Sequence, residues 1–393
     1  MNDHPSDDDA RFGEVDAAPG ARTIRDVARL AGVSIGTVSK ALNASGRLSA
    51  ETRAKVLKVA KAIDYRPNDL AQSLHRARSM TVGILSNDSF GRFAFPIVEA
   101  LERRLFDHGI AVFMCNATDD PVRERRHIDQ LLGKRVDGLV VTARRADRRA
   151  PIEPAARGLP VVYVFSQVEN KDALCLLPDD EGGAKLAVSH LAALGRRRIA
   201  HITGPERFEA VRLREMGWRK ALAEAGLKAR AGDCLPGRWS EAWGREAAQT
   251  LFSRRRAAPD ALFCGNDQIA RGAVDALREM GLAVPDDVAV VGFDNWDVMT
   301  EAARPPLTSV DMNLGALGGE AGASLMEMMA GRRLAGVRRL PCSLVIRDTC
   351  GARARGEKVE AGCSRKAREI KEAQSLRRIA EGSAARGERE QQS

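Results

Sequence analysis

Between Thr23 and Asn43 the chain reads "TIRDVARLAGVSIGTVSKALN". From Ser34 onward its polar residues are short (Ser34, Thr37, Ser39 and Asn43), with one longer cation, Lys40. Short hydroxyl and amide groups near a backbone suit phosphate oxygens. A lysine stem reaches further, to a base edge in a groove. Gly36 has no side chain and so permits close approach, at about 1 kcal/mol of helix propensity. The same stretch contains "GVSIG", Gly32 to Gly36, which matches the G-x-S-x-G serine turn of hydrolases. That chemistry needs a strand before the serine and a sheet beneath it. Here a helix precedes the serine, so a hydrolase is set aside.

The elements that must hold these groups are legible around them. Thr23 starts an amphipathic run with Asp26 three residues on, a capping box with Asp in place of Glu. Val27, Ala28 and Leu30 form its apolar stripe. Gly32 supplies the left-handed residue that ends the helix, and Ser34 caps the next. That second helix is expected from Ile35 to about Leu42. Its Val38, Ala41 and Leu42 turn inward, and Ile35, Gly36, Ser39, Lys40 and Asn43 outward. A third helix starts at Ser49 and runs through "AETRAKVLKVAKAI". Helix, short glycine turn, helix and supporting helix make a helix-turn-helix. Ala28 and Ala31 let the first two helices approach closely. Pro67 then breaks the chain, Asn68 caps a short segment "DLAQSL", and Arg76 and Arg78 follow.

Charge is distributed to match. Residues 21–78 carry twelve Lys and Arg against four acids, a local +8 out of a net +9. Residues 1–20 carry six acids and one Arg, and residues 351–393 eleven Lys and Arg against seven acids. A basic segment beside a nearly neutral bulk fits a nucleic-acid-binding headpiece. A plain three-helix bundle is the alternative, and the local charge weighs against it. The seven cysteines are scattered, without a CxxC pair, as in a reducing cytoplasm. The acidic start lacks the apolar segment of a signal peptide, and no apolar run is long enough to span a membrane.

From Met80 the pattern changes. "MTVGILS", "IAVFMCNA", "DGLVVTA" and "PVVYVFS" are apolar, β-branched runs separated by helical stretches. A second series follows in "RIAHITG", "ALFCGN" and "VAVVGFD". Continuous apolar strands alternating with helices imply parallel sheets covered on both faces. Two series imply two doubly wound subdomains. Ligands of such folds sit at strand carboxyl ends, here in the cleft between two lobes. Ser86, Asn87 and Asp88, then Asn266 and Asp267, then Asp294 and Asn295 occupy those ends. Asp267 also suits a plain helix cap. Arg144 and Arg145 after "VVTA" suit either an anionic ligand or a solvated loop. The six histidines have no metal-ligand spacing, and neither a P-loop nor a G-x-G-x-x-G occurs. Neither cofactor nor metal is expected, and no catalytic constellation.

The headpiece and the segment "RLSAETRAKVLKVAKAIDYRPNDLAQSL" resemble the headpiece and hinge of LacI/GalR-family transcriptional regulators. The resemblance continues through "VDGLVV", "HLAALGRRRIAHITGP", "RLREMGWRKAL", "FCGNDQIARGAVDAL" and "VAVVGFDN", about residues 21 to 350. It implies an all-α helix-turn-helix headpiece and an α/β core of two doubly wound parallel-sheet subdomains, periplasmic-binding-protein-like. Ile35, Gly36 and Lys40 would read bases in the major groove, and Ser34, Thr37, Ser39 and Asn43 would contact phosphates. Segment 68–75, with Asn68 at its start, would fold on operator DNA and insert Leu74 between base steps, a wedge that kinks the duplex. Lys40 replaces the family's usual Arg, and Gly36 stands where a larger side chain is common. In the core, Arg214 and Asp294 would hydrogen-bond the effector. Trp239 would stack on it, Phe93 or Phe95 would line the opposite lobe, and Asn266 would join them from its strand end. Phe165 stands where many relatives carry an acid.

The expected organisation is an N-terminal extension over 1–20, a headpiece over 21–66, a hinge over 67–78 and a core over 79–350. Within the core the N-subdomain takes about 79–179 and 313–340, and the C-subdomain about 180–309 and 341–350. A basic tail, 351–393, follows; it lacks the leucine heptads of a zipper, and both termini read as disordered. The expected function is that of a cytoplasmic, homodimeric, operator-binding repressor whose DNA affinity is controlled by a sugar or related metabolite. A transport-type solute-binding protein would lack the headpiece, an α/β enzyme would need a catalytic set, and a nucleoid protein would bind without sequence preference.

Overall fold

The computed structural model describes residues 23–43, 45–65, 78–88, 91–152, 158–253 and 258–352. Asn68 and Leu74 of the hinge, and nearly all of both termini, lie outside the described residues. The chain divides into two compact units, 1–79 and 80–393.

The first unit contains α1 (Ile24–Ala31), α2 (Ile35–Leu42) and α3 (Ala50–Ala62). Thr23 and Asp26 close the capping box reciprocally: the Thr23 backbone N–H donates to Asp26 Oδ2 at 2.9 Å, and the Asp26 N–H to Thr23 Oγ1 at 3.4 Å. Gly32 takes φ 65°, the left-handed conformation that ends α1. Ser34 and Ser49 cap α2 and α3 through the backbone N–H groups of Thr37 and Thr52. Val27, Ala28, Ala31, Val38, Ala41, Val56 and Ala60 form the core of this unit. Leu30 does not join them; it is 49% exposed. With 3.6 residues per turn it falls outside the arc that Val27, Ala28 and Ala31 share, so the α1 stripe uses Ala31 instead.

The second unit is built on two six-stranded sheets. Along the chain the elements are β1 (Thr81–Ser86), α4 (Ala94–Phe106), β2 (Ala111–Asn116), α5 (Pro121–Gly133), β3 (Gly138–Thr142), β4 (Arg148–Arg149), β5 (Val161–Val164), β6 (Gln167–Val168) and β7 (Leu174–Pro178). Next come α6 (Asp180–Ala193), β8 (Ile199–Thr203), α7 (Glu209–Glu224), β9 (Cys234–Pro236), α8 (Glu241–Phe252), β10 (Ala261–Cys264), α9 (Asp267–Glu279), β11 (Ala289–Phe293), α10 (Asp297–Thr300) and β12 (Thr308–Asp311). The last are α11 (Leu314–Met329), β13 (Gly336–Leu340) and β14 (Ser343–Val345).

The first sheet has the order β13-β7-β5-β3-β1-β2 and is parallel throughout. The second has the order β14-β12-β11-β10-β8-β9, parallel except for β14, which runs antiparallel to β12. The chain therefore passes between the sheets three times: after β7, after β12 and after β13. The β3, β5, β7, β8, β10 and β11 strands are buried at every residue, as strands covered on both faces must be. Helices dock closely where glycine allows it. A Cβ on Gly217 of α7 would lie 2.2 Å from the Glu181 carbonyl of α6, and one on Gly318 of α11 would lie 2.1 Å from the Ile97 carbonyl of α4. The core extends slightly past the expected start of the tail, since Ala352 is fully buried in it. Among the described residues no helix is long and apolar enough to cross a membrane.

Candidate functional site

In the first unit the groups of interest lie along the outer side of α2. Ser34 Oγ accepts from the Thr37 backbone N–H at 3.2 Å and lies 2.9 Å from Thr37 Oγ1. Asn43 Nδ2 donates to Ser39 Oγ at 3.3 Å. These short side chains are thus ordered against one another. Ile35 is 46% exposed, and Gly36 and Lys40 are exposed as well. A Cβ on Gly36 would meet nothing nearer than Ser34 Oγ at 3.8 Å, so the chain's own packing does not require glycine there. No acid occupies the first turn of α2, which leaves the positive end of its dipole open to an anion.

In the second unit a cavity of about 900 Å³ opens at the strand carboxyl ends, lined from both sheets. Phe93, Phe95, Arg214, Trp239, Asn266 and Asp294 all line it. Phe93 is the residue before α4, and its ring stacks on Phe165 with centroids 5.0 Å apart. Phe95 is 61% exposed. Asn266 caps α9, its Oδ1 accepting from the Ile269 N–H at 2.8 Å. Phe165 after β5 (φ 54°) and Asp294 after β11 (φ 100°) both hold left-handed backbone. Non-glycine residues in that region cost about 1–3 kcal/mol, strain that collects at binding sites.

Arg214 is the polar hub. It is 4% exposed. Its Nε and Nη2 reach Asp180 Oδ1 at 2.8 and 2.7 Å, its Nη1 donates to the Gly265 carbonyl, and Nη1 lies 3.6 Å from Asp294 Oδ1. Its guanidinium sits 3.6 Å from the Phe293 ring centroid. Burial pushes the carboxyls of Asp180 and Asp294 up, and Arg214 opposes this at both. Asp267 lies behind them, fully buried, accepting from Ser309 Oγ at 2.5 Å and the Trp296 N–H at 2.7 Å. Burial, then the charge of Asp294, pushes its carboxyl up to about 8.

Several lining residues carried no sequence signal for this role. Arg92 lies in the loop after β1, where no periodicity marks it. It pairs with Asp294, its Nη1 reaches Gln268 Oε1 at 3.4 Å, and its guanidinium lies 4.8 Å from the Phe93 ring and 4.4 Å from the Trp296 ring. Trp296 and Phe208 also line the cavity; a tryptophan two residues past the strand-end Asp294 was a visible clue. Asp88, recognised only as a strand end, accepts from the Phe93 and Ala94 N–H groups at 2.8 and 3.0 Å. Arg144 and Arg145 line the cavity too, paired with Asp119 at 3.5 Å and Asp147 at 3.3 Å. Among the described residues no group of three metal-ligating side chains is assembled.

A helix-turn-helix unit and a two-sheet, cleft-bearing unit on one chain define a ligand-responsive DNA-binding regulator. Comparison with known proteins narrows the class. Residues 23–68 match the bacterial regulatory proteins of the lacI family, and residues 188–350 match a periplasmic binding protein-like domain. The HTH-type transcriptional regulator DegA of Bacillus subtilis is 33% identical over 83% of this chain and 97% of its own length. The ribose operon repressor of Escherichia coli K12 is 34% identical over 75% of this chain and 89% of its own. A Lac repressor dimer, bound to operator and the anti-inducer ONPF, superposes with a TM-score of 0.68 at 30% identity, covering 84% of this chain and 99% of that one. The chain belongs to the LacI family of bacterial transcriptional regulators.

Proposed function

We propose that this chain is a cytoplasmic, homodimeric repressor that binds a palindromic operator and is controlled by a small metabolite in the cleft. The observation that carries this reading is the joint presence of an exposed, acid-free α2 face and a 900 Å³ cleft lined from two lobes. In it, Ile35, Gly36 and Lys40 face bases and Ser34, Thr37, Ser39 and Asn43 face phosphates. Asn68 and Leu74, outside the described residues, belong to the minor-groove hinge. A dimer places one headpiece on each half-site. Phe93, Phe95, Arg214, Trp239, Asn266 and Asp294 hold the effector, and no catalysis or cofactor is involved. Solved relatives fit this, among them CelR in complex with cellobiose, which superposes with a TM-score of 0.58 at 30% identity. The test is footprinting on the DNA upstream of the chain's own gene, with metabolites added, over a salt series. Each neutralised phosphate contributes about −0.9 to the slope of log affinity against log salt. A protected palindrome whose occupancy changes with one metabolite supports the reading. Salt-independent or sequence-indifferent binding refutes it.

A further inference from the structure

Taking the cleft to be the effector site as proposed above, we infer that Arg92 determines its specificity: by occupying Asp294 it makes the cavity select a hydroxylated anion over a neutral sugar.

The inference comes from which polar groups in the cavity are already used. A neutral polyol offers hydroxyls that each donate one bond and accept others, and carboxylates are the strongest acceptors for the donated ones. Here every cavity-lining carboxylate except Asp88 already faces a guanidinium. Asp180 accepts two bonds from Arg214, and Asp294 lies between Arg92 and Arg214. Asp147 is engaged by Arg145 at 3.3 Å. Arg92 does not reach Asp294 by chance exposure: the two side chains are 14% and 6% exposed, and the guanidinium lies against two aromatic rings. The pair also joins the two lobes, because Arg92 follows β1 of the first sheet and Asp294 follows β11 of the second. Breaking a buried pair leaves an uncompensated charge, so a neutral sugar gains little by displacing Arg92 from Asp294.

The guanidinium donors are not all used by these pairs. A guanidinium carries five N–H groups, and four arginines, Arg92, Arg144, Arg145 and Arg214, line the cavity. Arg92 Nε is buried with no acceptor among the described residues. Charge-assisted bonds from guanidinium to carboxylate or phosphate are the strong ones. Asp88 faces no guanidinium, and its Oδ1 is buried and without a donor among the described residues. It suits one ligand hydroxyl. An oxyanion on a hydroxylated carbon chain, a sugar acid or sugar phosphate, meets both requirements, while the rings of Phe93, Trp239 and Trp296 cover its apolar faces.

The test uses three probes on one carbon skeleton: glucose, gluconate and glucose 6-phosphate, each against NaCl of equal ionic strength. Binding to the full chain is read by thermal shift and calorimetry for wild type, Arg92→Met, Arg92→Lys and Trp239→Ala. At least one acid should bind wild type at least tenfold more tightly than glucose does. Arg92→Met should lose that tenfold preference, and Arg92→Lys should keep its direction. The melting temperature of each variant without probe reports whether it folds, and Arg92→Lys keeps the test decisive if Arg92→Met does not. Glucose binding as well as the acids, an unchanged preference in Arg92→Met, or no binding of either acid overturns the inference. Glucose bound in a Trp239-dependent way, with the acids ignored, would sink the anion and leave the cleft reading standing. Acid binding indifferent to both Arg92 and Trp239 would place the ligand elsewhere and sink the cleft reading itself.

Discussion

Replacing Arg214 by Met removes the charge while keeping most of the side-chain volume. What remains is Asp180, 1% exposed, stripped of both of the contacts it accepts from the guanidinium. Removing one partner of a buried pair costs about 3–5 kcal/mol, because the surviving charge stays buried and unpaired. The Gly265 carbonyl also loses its donor, which adds about 1 kcal/mol or more. Burial already pushes the Asp180 carboxyl up, and Arg214 holds it down. Without Arg214 its folded value rises further above the unfolded one. For an acid raised in this way the deficit is largest at pH above the folded value and shrinks as pH falls toward about 4. The assay is urea unfolding by tryptophan fluorescence at pH 7.5 and pH 5, with wild type measured at each pH. All four tryptophans, Trp218, Trp239, Trp243 and Trp296, lie in the second unit, so the signal reports that unit alone. The double variant Arg214→Met with Asp180→Leu should recover most of the loss, since it removes the orphaned charge. A single-variant loss below about 1 kcal/mol, or a deficit that does not shrink in acid, would refute the view that Arg214 acts by neutralising Asp180.

Three further outcomes are expected. His201 is fully buried, its Nδ1 2.9 Å from the Phe263 carbonyl, and burial pushes its imidazole down to about 4. The unfolded chain therefore takes up a proton below about pH 6.5 that the folded chain refuses, so stability falls as pH drops, by about 2 kcal/mol at pH 5. His201→Phe should flatten that slope in urea titrations; an unchanged slope would mean His201 is not its source. Gly36→Ala has room for its Cβ and should raise headpiece stability by about 0.5–1 kcal/mol, while specific operator affinity drops. Higher stability with unchanged affinity would show that no DNA group approaches Gly36. Lys40→Ala should relax base preference at one operator position, whereas Ser34→Ala or Thr37→Ala weakens binding on all sequences alike. A uniform loss with Lys40→Ala, read by competition against operator variants, would make Lys40 a phosphate contact.

Local signals were legible where local physics decides. Thr23, Gly32, Ser34 and Ser49 mark the ends of three helices through caps and one left-handed residue, all properties of neighbours in sequence. Long apolar runs gave most of the buried parallel strands; β7, "LCLLP", is apolar and buried throughout and was still missed. Most other strands not anticipated are those whose pairing carries the information. The edge strand β13 reads "GVRRL", with three of its five residues exposed, and β12 reads "TSVD". Neither has an apolar run, and β9 and β14 span only three residues each. The antiparallel turn of β14 onto β12 depends on where the third crossing of the chain lands, which periodicity does not encode. The cleft divides the same way. Arg214, Asp294 and Asn266 stand out by their place in motifs or at strand ends, whereas Arg92 matters only because a residue 202 positions away faces it.

That long-range pair also bears on how the cleft can act as a control. Arg92 and Asp294 belong to different sheets, and the chain crosses between those sheets at three places, after Pro178, Asp311 and Leu340. Where two lobes are joined in this way, hinge closure is a motion a ligand between them can bias. A ligand biases it only through a difference in affinity between the open and closed arrangements. Contacts confined to one lobe, such as Asn266 or Trp239 alone, change little as the lobes move. A group that touches both, at Arg214 or Trp239 on one side and at Arg92, Phe93 or Asp88 on the other, feels closure directly. The Arg92–Asp294 pair already spans that gap, so it contributes to closure before any ligand arrives. A ligand's coupling energy therefore includes what it adds to, or takes from, that ion pair. Where DNA binding favours one of the two arrangements, reciprocity makes DNA alter the ligand's affinity by the same factor by which the ligand alters DNA affinity.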